Sequence, residues 1–482
     1  MVSGAEPSRE ELLALVKAQA ATITQLQATV TALQAEVTEL KRQLGRNSGN
    51  SSQPPSADGP AVPNRAARRR AGRDQARKPG KQPGAGGTTL SVVADPDEII
   101  DHTPTTCGGC GDSLDEAGSG TDAAAVIRRQ VHDIPDPAQI TTRVREHRLH
   151  QRRCGCGHLT RAQAPAGVNA PACYGPNLRA LAAYLLVYQH IPVARTAELI
   201  ADLTGARPST GWVSSTLAPT AAAVAEPNKV ILDEVRAAPV VHVDETTSNI
   251  NGARWWLHVA STSTLTAFHL HPSRGRAAVT EFDVLPNYRG TLVHDSLTLY
   301  DAYDQARHAL CGAHLVRELT AAAETHPERI WPEQAIRVLH QLNTAAHHAR
   351  DQGLPQIPPE IIDPLLRSFR HAVIVGLAEH PRRPGARQPP TRNLLQRLGL
   401  RVEQVLLFAR DLTVPFTNNQ AERDLRPTKT QLKISGCHRS ADTARAWLAI
   451  RGYISTARKH GRNVFQTLRD AITGNPWTPR TA

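Results

Sequence analysis

Three acids, far apart along the chain, stand where carboxylates could share divalent cations. Asp244 closes the apolar run Val240-Val241-His242-Val243, and Asp295 closes Gly290-Thr291-Leu292-Val293-His294. Glu422 sits in Asn418-Asn419-Gln420-Ala421-Glu422-Arg423, near the start of an expected helix. An acid ending each of two buried strands, with a third on a later helix, can hold two cations. Two such ions about 3.5–4 Å apart stabilise both the attacking and the leaving oxygen in phosphodiester cleavage. Each acid also has a purely structural reading. Asp244, followed by Glu245-Thr246, could cap a strand end. Asp301 and Asp304 compete with Asp295, but only Asp295 directly ends the apolar run. Glu422 stands three residues after Asn419, the capping-box spacing, and four before Arg426, an ion-pair spacing. Taken jointly, the order strand-Asp, strand-Asp, helix-Glu favours chemistry. Arg423, Arg426, Lys429 and Lys433 follow at once, as donors for substrate phosphates should.

These acids need a sheet and a helix to bring them together. Across residues 238–310, strand-like runs at Val240–Val243, Trp255–Val259, Leu265–Leu270 and Leu292–His294 surround a helix at about Arg276–Val284, a pattern that indicates an α/β sheet. Residues 302–410 read as helical, with Pro-rich breaks at Pro355–Pro359 and Pro381–Pro390, and 418–474 are helical again. Cys311 and His314 lie one helical turn apart, as a buried thiol beside a His or a minor metal pair. Near the C-terminus Trp447, Ile450, Ile454 and Ala457 share one apolar face, with Arg445, Arg451, Arg458 and Lys459 mostly elsewhere. Upstream, Leu178, Leu181, Ala182, Leu185 and Leu186 recur at helical spacing. A helix at about Ala194–Leu203, then Gly205, then Ser209-Thr210-Gly211-Trp212-Val213 gives a helix-turn-helix outline, shared by many ordinary helix pairs.

The rest of the chain reads as equipment for holding a polyanion. With 482 residues there is room for two or three domains. The formal charge of +12 is clustered: Arg65, Arg68, Arg69, Arg70, Arg73, Arg77, Lys78 and Lys81 meet only Asp74. Following the polar stretch Asn47–Pro55, they suggest a disordered basic arm for a phosphate backbone, or else a solvated linker. Before it, Val16, Ile23, Val30, Val37 and Leu44 repeat every seven residues, with Leu12, Gln19, Leu26, Leu33 and Leu40 as the second series. β-branched residues in one series with Leu in the other favour a parallel two-stranded coil, so a homodimer or higher oligomer is expected. Cys107-Gly108-Gly109-Cys110 and Cys154-Gly155-Cys156 have the close pairing that tetrahedral Zn²⁺ requires, with His150 or His158 able to replace one sulfur. Val126-Ile127 and Ile140–Val144 would be strands of that small ribbon. No run approaches the ~20 apolar residues of a membrane span, and seven cysteines, an odd number, argue against a secreted disulfide framework. A reducing cytoplasm is the expected setting.

Several of these motifs together resemble the insertion sequence 66 family of bacterial transposases. They are His242-Val243-Asp244-Glu245-Thr246, the strand ending at Asp295 with Tyr300 and Tyr303 beyond it, Cys311-Gly312-Ala313-His314, and Asn418–Arg423 with Arg426-Pro427. The heptads, the Asn/Ser/Pro linker and the cysteine pairs extend the likeness over almost the whole chain; Lys433–His438 departs from it. The resemblance implies an RNase H-like core with a helical insertion before the Glu, and a catalytic triad of Asp244, Asp295 and Glu422. It also implies Mg²⁺ (or Mn²⁺), recognition of terminal inverted repeats and target DNA, and accessory proteins encoded by the same element. The expected organisation is multidomain α/β: a coiled coil over 1–45, a basic linker over 46–90, a zinc-binding domain over 91–165 and a helical DNA-binding segment over 166–235. The catalytic core follows over 236–474, with its insertion at about 305–412, and a tail over 475–482. The expected function is a metal-dependent polynucleotidyl transferase that cleaves element ends and joins the 3′-hydroxyl to target DNA. A non-catalytic DNA-binding regulator derived from a transposase is the alternative.

Overall fold

The structure, a computed structural model, describes residues 9–44, 46–47, 50, 93–96, 99, 111, 130, 142–153, 156, 159–165, 167–168 and 170–479. Outside them lie Arg68, Arg69 and Arg70 of the basic arm, and Cys107, Cys110 and Cys154 of the expected zinc site. The chain divides into two compact units, one of residues 1–64, 145–202 and 207–482, the other of 65–144 and 203–206. The first carries the sheet and the candidate site. Among the described residues no helix is long and apolar enough to cross a membrane.

Helix α1 (Arg9–Leu44) is one continuous helix. Its heptad residues Val16, Ile23, Leu26, Val30, Leu33, Val37 and Leu40 are all exposed. Strands β1 (Gln151–Arg153) and β2 (Leu159–Arg161) pair antiparallel and bracket an exposed Cys156. The strand expected to reach Thr142–Val144 is not there. These residues are exposed and without regular structure, and the ribbon instead lies on either side of the second cysteine pair.

Helices α2 (Pro176–Ala183), α3 (Val193–Thr204), α4 (Thr210–Ser215), α5 (Leu217–Ala223) and α6 (Ala225–Ala237) lead to the sheet. A π-helical turn, Tyr184–Tyr188, extends α2. The helix pair expected as a helix-turn-helix corresponds to α3 and α4, and α4 has only 6 residues. The sheet comprises β3 (Val240–Ile250), β4 (Ala253–Ser261), β5 (Thr266–His271), β6 (Thr291–His294) and β7 (Arg307–Leu310), with α7 (Arg276–Phe282) between β5 and β6. Its order is β5-β4-β3-β6-β7. The first three strands are antiparallel, and β6 and β7 run parallel to β3.

Two expectations from the sequence do not hold in the fold. Strand β3 does not end at Asp244: it continues through Glu245-Thr246-Thr247-Ser248-Asn249 to Ile250, so Asp244 lies in its interior. The cause is a tight hairpin. Asn251 (φ 47) and Gly252 (φ 85) both take positive φ, as a two-residue turn matching strand twist demands. Trp255 and Trp256 then pair with Ser248 and Thr247, holding a polar segment in strand form. The stretch 302–410 is not wholly helical either, because Arg307–Leu310 forms β7 beside β6. Four residues are too few to show a period, and only the neighbouring strand reveals them.

The helical insertion runs from α8 (Gly312–Thr325) through α9 (Trp331–Asp351), α10 (Pro359–Glu379) and α11 (Pro390–Leu400) to two four-residue turns ending at Arg410. It has its own core, with Trp331, Leu339, Leu342, Phe369 and Leu395 almost wholly buried, continuous with Val293, Ala309 and Leu310 of the sheet. Helices α12 (Asn419–Ser435), α13 (Ala441–Lys459) and α14 (Val464–Ile472) return to the other core. There Trp447, Ile450, Ile454 and Ala457 are buried, as their shared face requires. Arg451, grouped from the sequence with residues mostly off that apolar face, is buried at 7% exposure.

Candidate metal centre and nucleic-acid face

Asp244 in β3 and Asp295, one residue beyond β6, lie on adjacent parallel strands. Ligand oxygens of Asp244, Glu245 and Asp295 all fall within 4.8 Å of one another. Crowding carboxylates where water is scarce disfavours their ionisation. Burial first, then the charges of Glu245, Asp295 and Glu422, pushes Asp244 from 3.8 up to about 8. Glu245 is raised as well, again chiefly by burial. Its carboxylate is clamped from both sides: Tyr300 Oη donates to Oε2 at 2.6 Å, and Arg274 donates to Oε1 from Nε at 3.0 Å and Nη2 at 2.5 Å. Arg274 is itself stacked 4.9 Å over the Trp256 ring.

Glu422 lies in the first turn of α12, and its charge acts on Asp244. Its nearest basic groups are the Arg317 guanidinium, Nη2 at 3.6 Å, and the His314 imidazole, Nδ1 at 3.9 Å, whose pKa burial lowers; both come from α8. The helical insertion therefore reaches back to the third acid. The Arg426 pairing and the capping box suggested by spacing are not formed. The N-cap residue is Asn418, one position earlier, and its side chain does not cap the helix.

Residues 171–446, more than half of the chain, match the Transposase IS66 family. The chain belongs to that family. All three acids fall inside the matched segment. Residues 4–91 match a second family, the Family of unknown function (DUF6444). No match is found among curated proteins. Membership in the IS66 family carries a transposase-type function, with DNA as partner and a divalent metal in use.

Within this IS66 family chain, the Asn418 side chain ties the helix of Glu422 to the strand of Asp244. It is 1% exposed. Its Nδ2 donates to Val243 O at 2.8 Å, and its Oδ1 accepts from His242 Nδ1 at 2.9 Å, which fixes the His242 tautomer. Its backbone N–H points at Cys311 Sγ, 3.1 Å away. Burial keeps that thiol protonated by raising its pKa. Cys311 is thus the buried thiol expected from sequence. Next to it Gly312 N donates to Phe416 O at 2.8 Å, and a Cβ on Gly312 would lie 2.1 Å from the Phe416 ring. Two motifs over a hundred residues apart are thereby locked to each other and to β3. Asn418→Ala would strand His242 and the Val243 carbonyl. An expected loss of about 2–4 kcal/mol in unfolding free energy follows from two buried unsatisfied groups, measurable by denaturant titration.

Asp295 is held by a second network. Ser296 (φ 76) donates its N–H to His294 Nδ1 at 3.2 Å, so His294 Nε2 carries the proton and donates to His308 Nδ1 at 3.0 Å. His308 Nε2 then donates to Tyr303 O at 3.0 Å. Burial, then His308 and Arg401, depresses His294 from 6.5 to about 3, so its ring is neutral. Leu297 N–H donates to Asp295 Oδ1 at 3.1 Å. The competing Asp301 pairs instead with Arg401.

Arg423, Arg426, Lys429 and Lys433 are exposed along α12, starting one residue after Glu422. Sequence reasoning missed Glu245 as a member of the cluster, and missed Arg274, Arg317 and Asn418. Residues 274 and 317 carry no local signal. Glu245 is hidden because neighbours on a regular strand are expected on opposite faces.

Proposed function

We propose that this chain is a DNA transposase that cuts phosphodiesters at the ends of an insertion element and joins the freed 3′-hydroxyl to target DNA. The observation that carries the reading is the convergence of Asp244, Glu245 and Asp295 within 4.8 Å, with Glu422 close enough to shift Asp244. The strand order, three antiparallel strands followed by two parallel ones, supports an RNase H-like core carrying a helical insertion.

The acids fit a hard divalent cation. All donors are oxygens, the set preferred by Mg²⁺ and Mn²⁺. Burial first, then the neighbouring acids, holds Asp244 at about 8, a penalty on ionisation that a bound cation would relieve. Asp244, Asp295 and Glu422 are the proposed ligands, with Glu245 beside them. Bound there, the metal would supply Lewis-acid stabilisation of phosphoryl oxygens and a more acidic water. Tyr300 and Arg274 keep Glu245 from turning away. Asn418 fixes the register between Asp244 and Glu422. The exposed row Arg423, Arg426, Lys429 and Lys433 holds DNA phosphates beside the acids, so that the scissile bond is positioned before reaction.

The remaining parts serve assembly. The exposed apolar heptads of α1 form a parallel homodimer, burying side chains that are 47–60% exposed in one chain. The cysteine pairs, including Cys156, hold a structural Zn²⁺ whose removal unfolds their ribbon. The protein works in the bacterial cytoplasm at the nucleoid, on terminal inverted repeats, with accessory proteins of the same element. The test uses duplex DNA carrying the element's ends. Cleavage is expected with Mg²⁺ or Mn²⁺ and is lost with chelator, while binding to the ends persists. Binding without cleavage under any divalent cation would make this chain a DNA-binding regulator.

A further inference from the structure

Among the described residues, Arg451 is the only arginine or lysine that is buried. It forms no ion pair. The nearby Asp424 is already held by Lys459 Nζ at 2.8 Å and Gln420 Nε2 at 3.0 Å. Arg451 Nε and Nη1 are enclosed yet have no hydrogen-bond acceptor. The guanidinium lies 5.6 Å from the Tyr188 ring centroid, and exposed Arg458, two helical turns on, lies 5.8 Å from the same ring. Cation–π contact offsets only part of the loss of water around a charge, and two cations on one ring repel.

The neighbouring backbone is unusual. Tyr188 ends the π-helical turn Tyr184–Tyr188, and such turns often mark functional sites. His190 adopts φ 59, a left-handed conformation rare outside glycine, and is 9% exposed. Its Nδ1 is buried without a partner. Burial, then the charge of Arg451, lowers it from 6.5 to about 4, leaving a neutral ring that can donate from one nitrogen. The His190 carbonyl accepts from Ser435 Oγ at 2.6 Å, which joins this corner to the last residue of α12, just beyond its basic row.

We propose that Arg451, with His190 beside it and exposed Arg458 over the same Tyr188 ring, binds one phosphodiester group of DNA. A guanidinium offers a planar fork of donors matched to two phosphate oxygens, which would satisfy the orphaned nitrogens and the charge together. The site extends the track of Arg423, Arg426, Lys429 and Lys433 across the end of α12 onto α13. The proposal rests on the reading of this chain as a DNA transposase.

The test measures binding of labelled duplex DNA by the full chain, in an Asp244→Asn background that silences cleavage, across a range of salt. Arg451→Met keeps the apolar stem and removes the fork. Its affinity should fall about tenfold, and the slope of log K against log salt should decrease by about one, the signature of one lost phosphate contact. Its melting temperature without DNA should stay level or rise, because an unpaired buried charge has gone. Unchanged affinity and slope overturn the site, as does a lower melting temperature with DNA binding intact, which would make Arg451 a structural stack. If Arg451→Met does not fold, Arg458→Gln at the exposed position carries the test, and an unchanged salt slope overturns the site. Inorganic phosphate separates a free anion from DNA: stabilisation of the parent but not of Arg451→Met, with the DNA slope unchanged, rejects the phosphodiester. Failure of Arg451→Met alone removes only this site. Failure of the parent to bind DNA removes the transposase reading as well.

Discussion

Asp244→Asn is expected to reduce strand cleavage and joining about a thousandfold or more while binding to element ends persists. Asn is nearly the same size as Asp but cannot contribute a negative charge to a cation. Metal stabilisation of a phosphoryl transition state amounts to several kcal/mol, and ~4 kcal/mol corresponds to about a thousandfold in rate. The substitution should not unfold the protein. Folding opposes ionisation of Asp244, chiefly by burial and then by the charges of Glu245, Asp295 and Glu422. Neutralising it should raise the melting temperature of metal-free protein, so lost activity with raised stability separates a chemical role from a structural one. The exposed cations of α12 are untouched, which is why DNA binding should survive. Joining activity within tenfold of the parent would remove Asp244 from the chemistry.

A second large effect is expected in the pH dependence of stability without metal. Asp244 moves from 3.8 in the free chain to about 8 in the fold, and Glu245 shifts in the same direction. The folded state then holds protons more tightly than the unfolded state, so stability falls as pH rises from 3.8 and levels off above about 8. A shift of this size corresponds to several kcal/mol, on the order of 1.4 kcal/mol per unit. The buried histidines act oppositely at lower pH. His190, His258 and His294 are depressed from 6.5 to about 4, 4 and 3, so their contribution is present above 6.5 and lost as pH falls. The acid cluster is therefore best isolated between pH 6.5 and about 8. In that window metal-free protein should melt progressively lower, Asp244→Asn should show a much flatter profile, and added Mg²⁺ should stabilise more at the alkaline end. A parent profile that rises through this window would contradict the crowded-acid account.

The same residues show how far the chain could be read before its fold was known. Asp295 was legible because an apolar run ends at it and the strand does too. Asp244 was legible as an acid after an apolar run, but its strand continues because Asn251-Gly252 turns the chain back and two tryptophans hold the polar half in register. Glu422 was legible as a helix-start acid, yet its partners come from α8, more than a hundred residues away in sequence. Periodicity alone could not place Glu245, Asn418 or Arg451. Glu245 is set by a clamp from Tyr300 and Arg274, Asn418 by a polar knot between two motifs, and Arg451 by the corner at Tyr188. Each depends on contacts that form only after the helices pack against the sheet.

The central claim is that Asp244, Asp295 and Glu422 together hold a divalent cation. Titration of metal-free protein with Mn²⁺, followed by loss of the free-ion spin-resonance signal, tests it directly. The parent chain should bind Mn²⁺ in competition with Mg²⁺, and Asp244→Asn and Asp295→Asn should each weaken binding at least tenfold. Equal Mn²⁺ affinity in the parent and both variants would contradict the account.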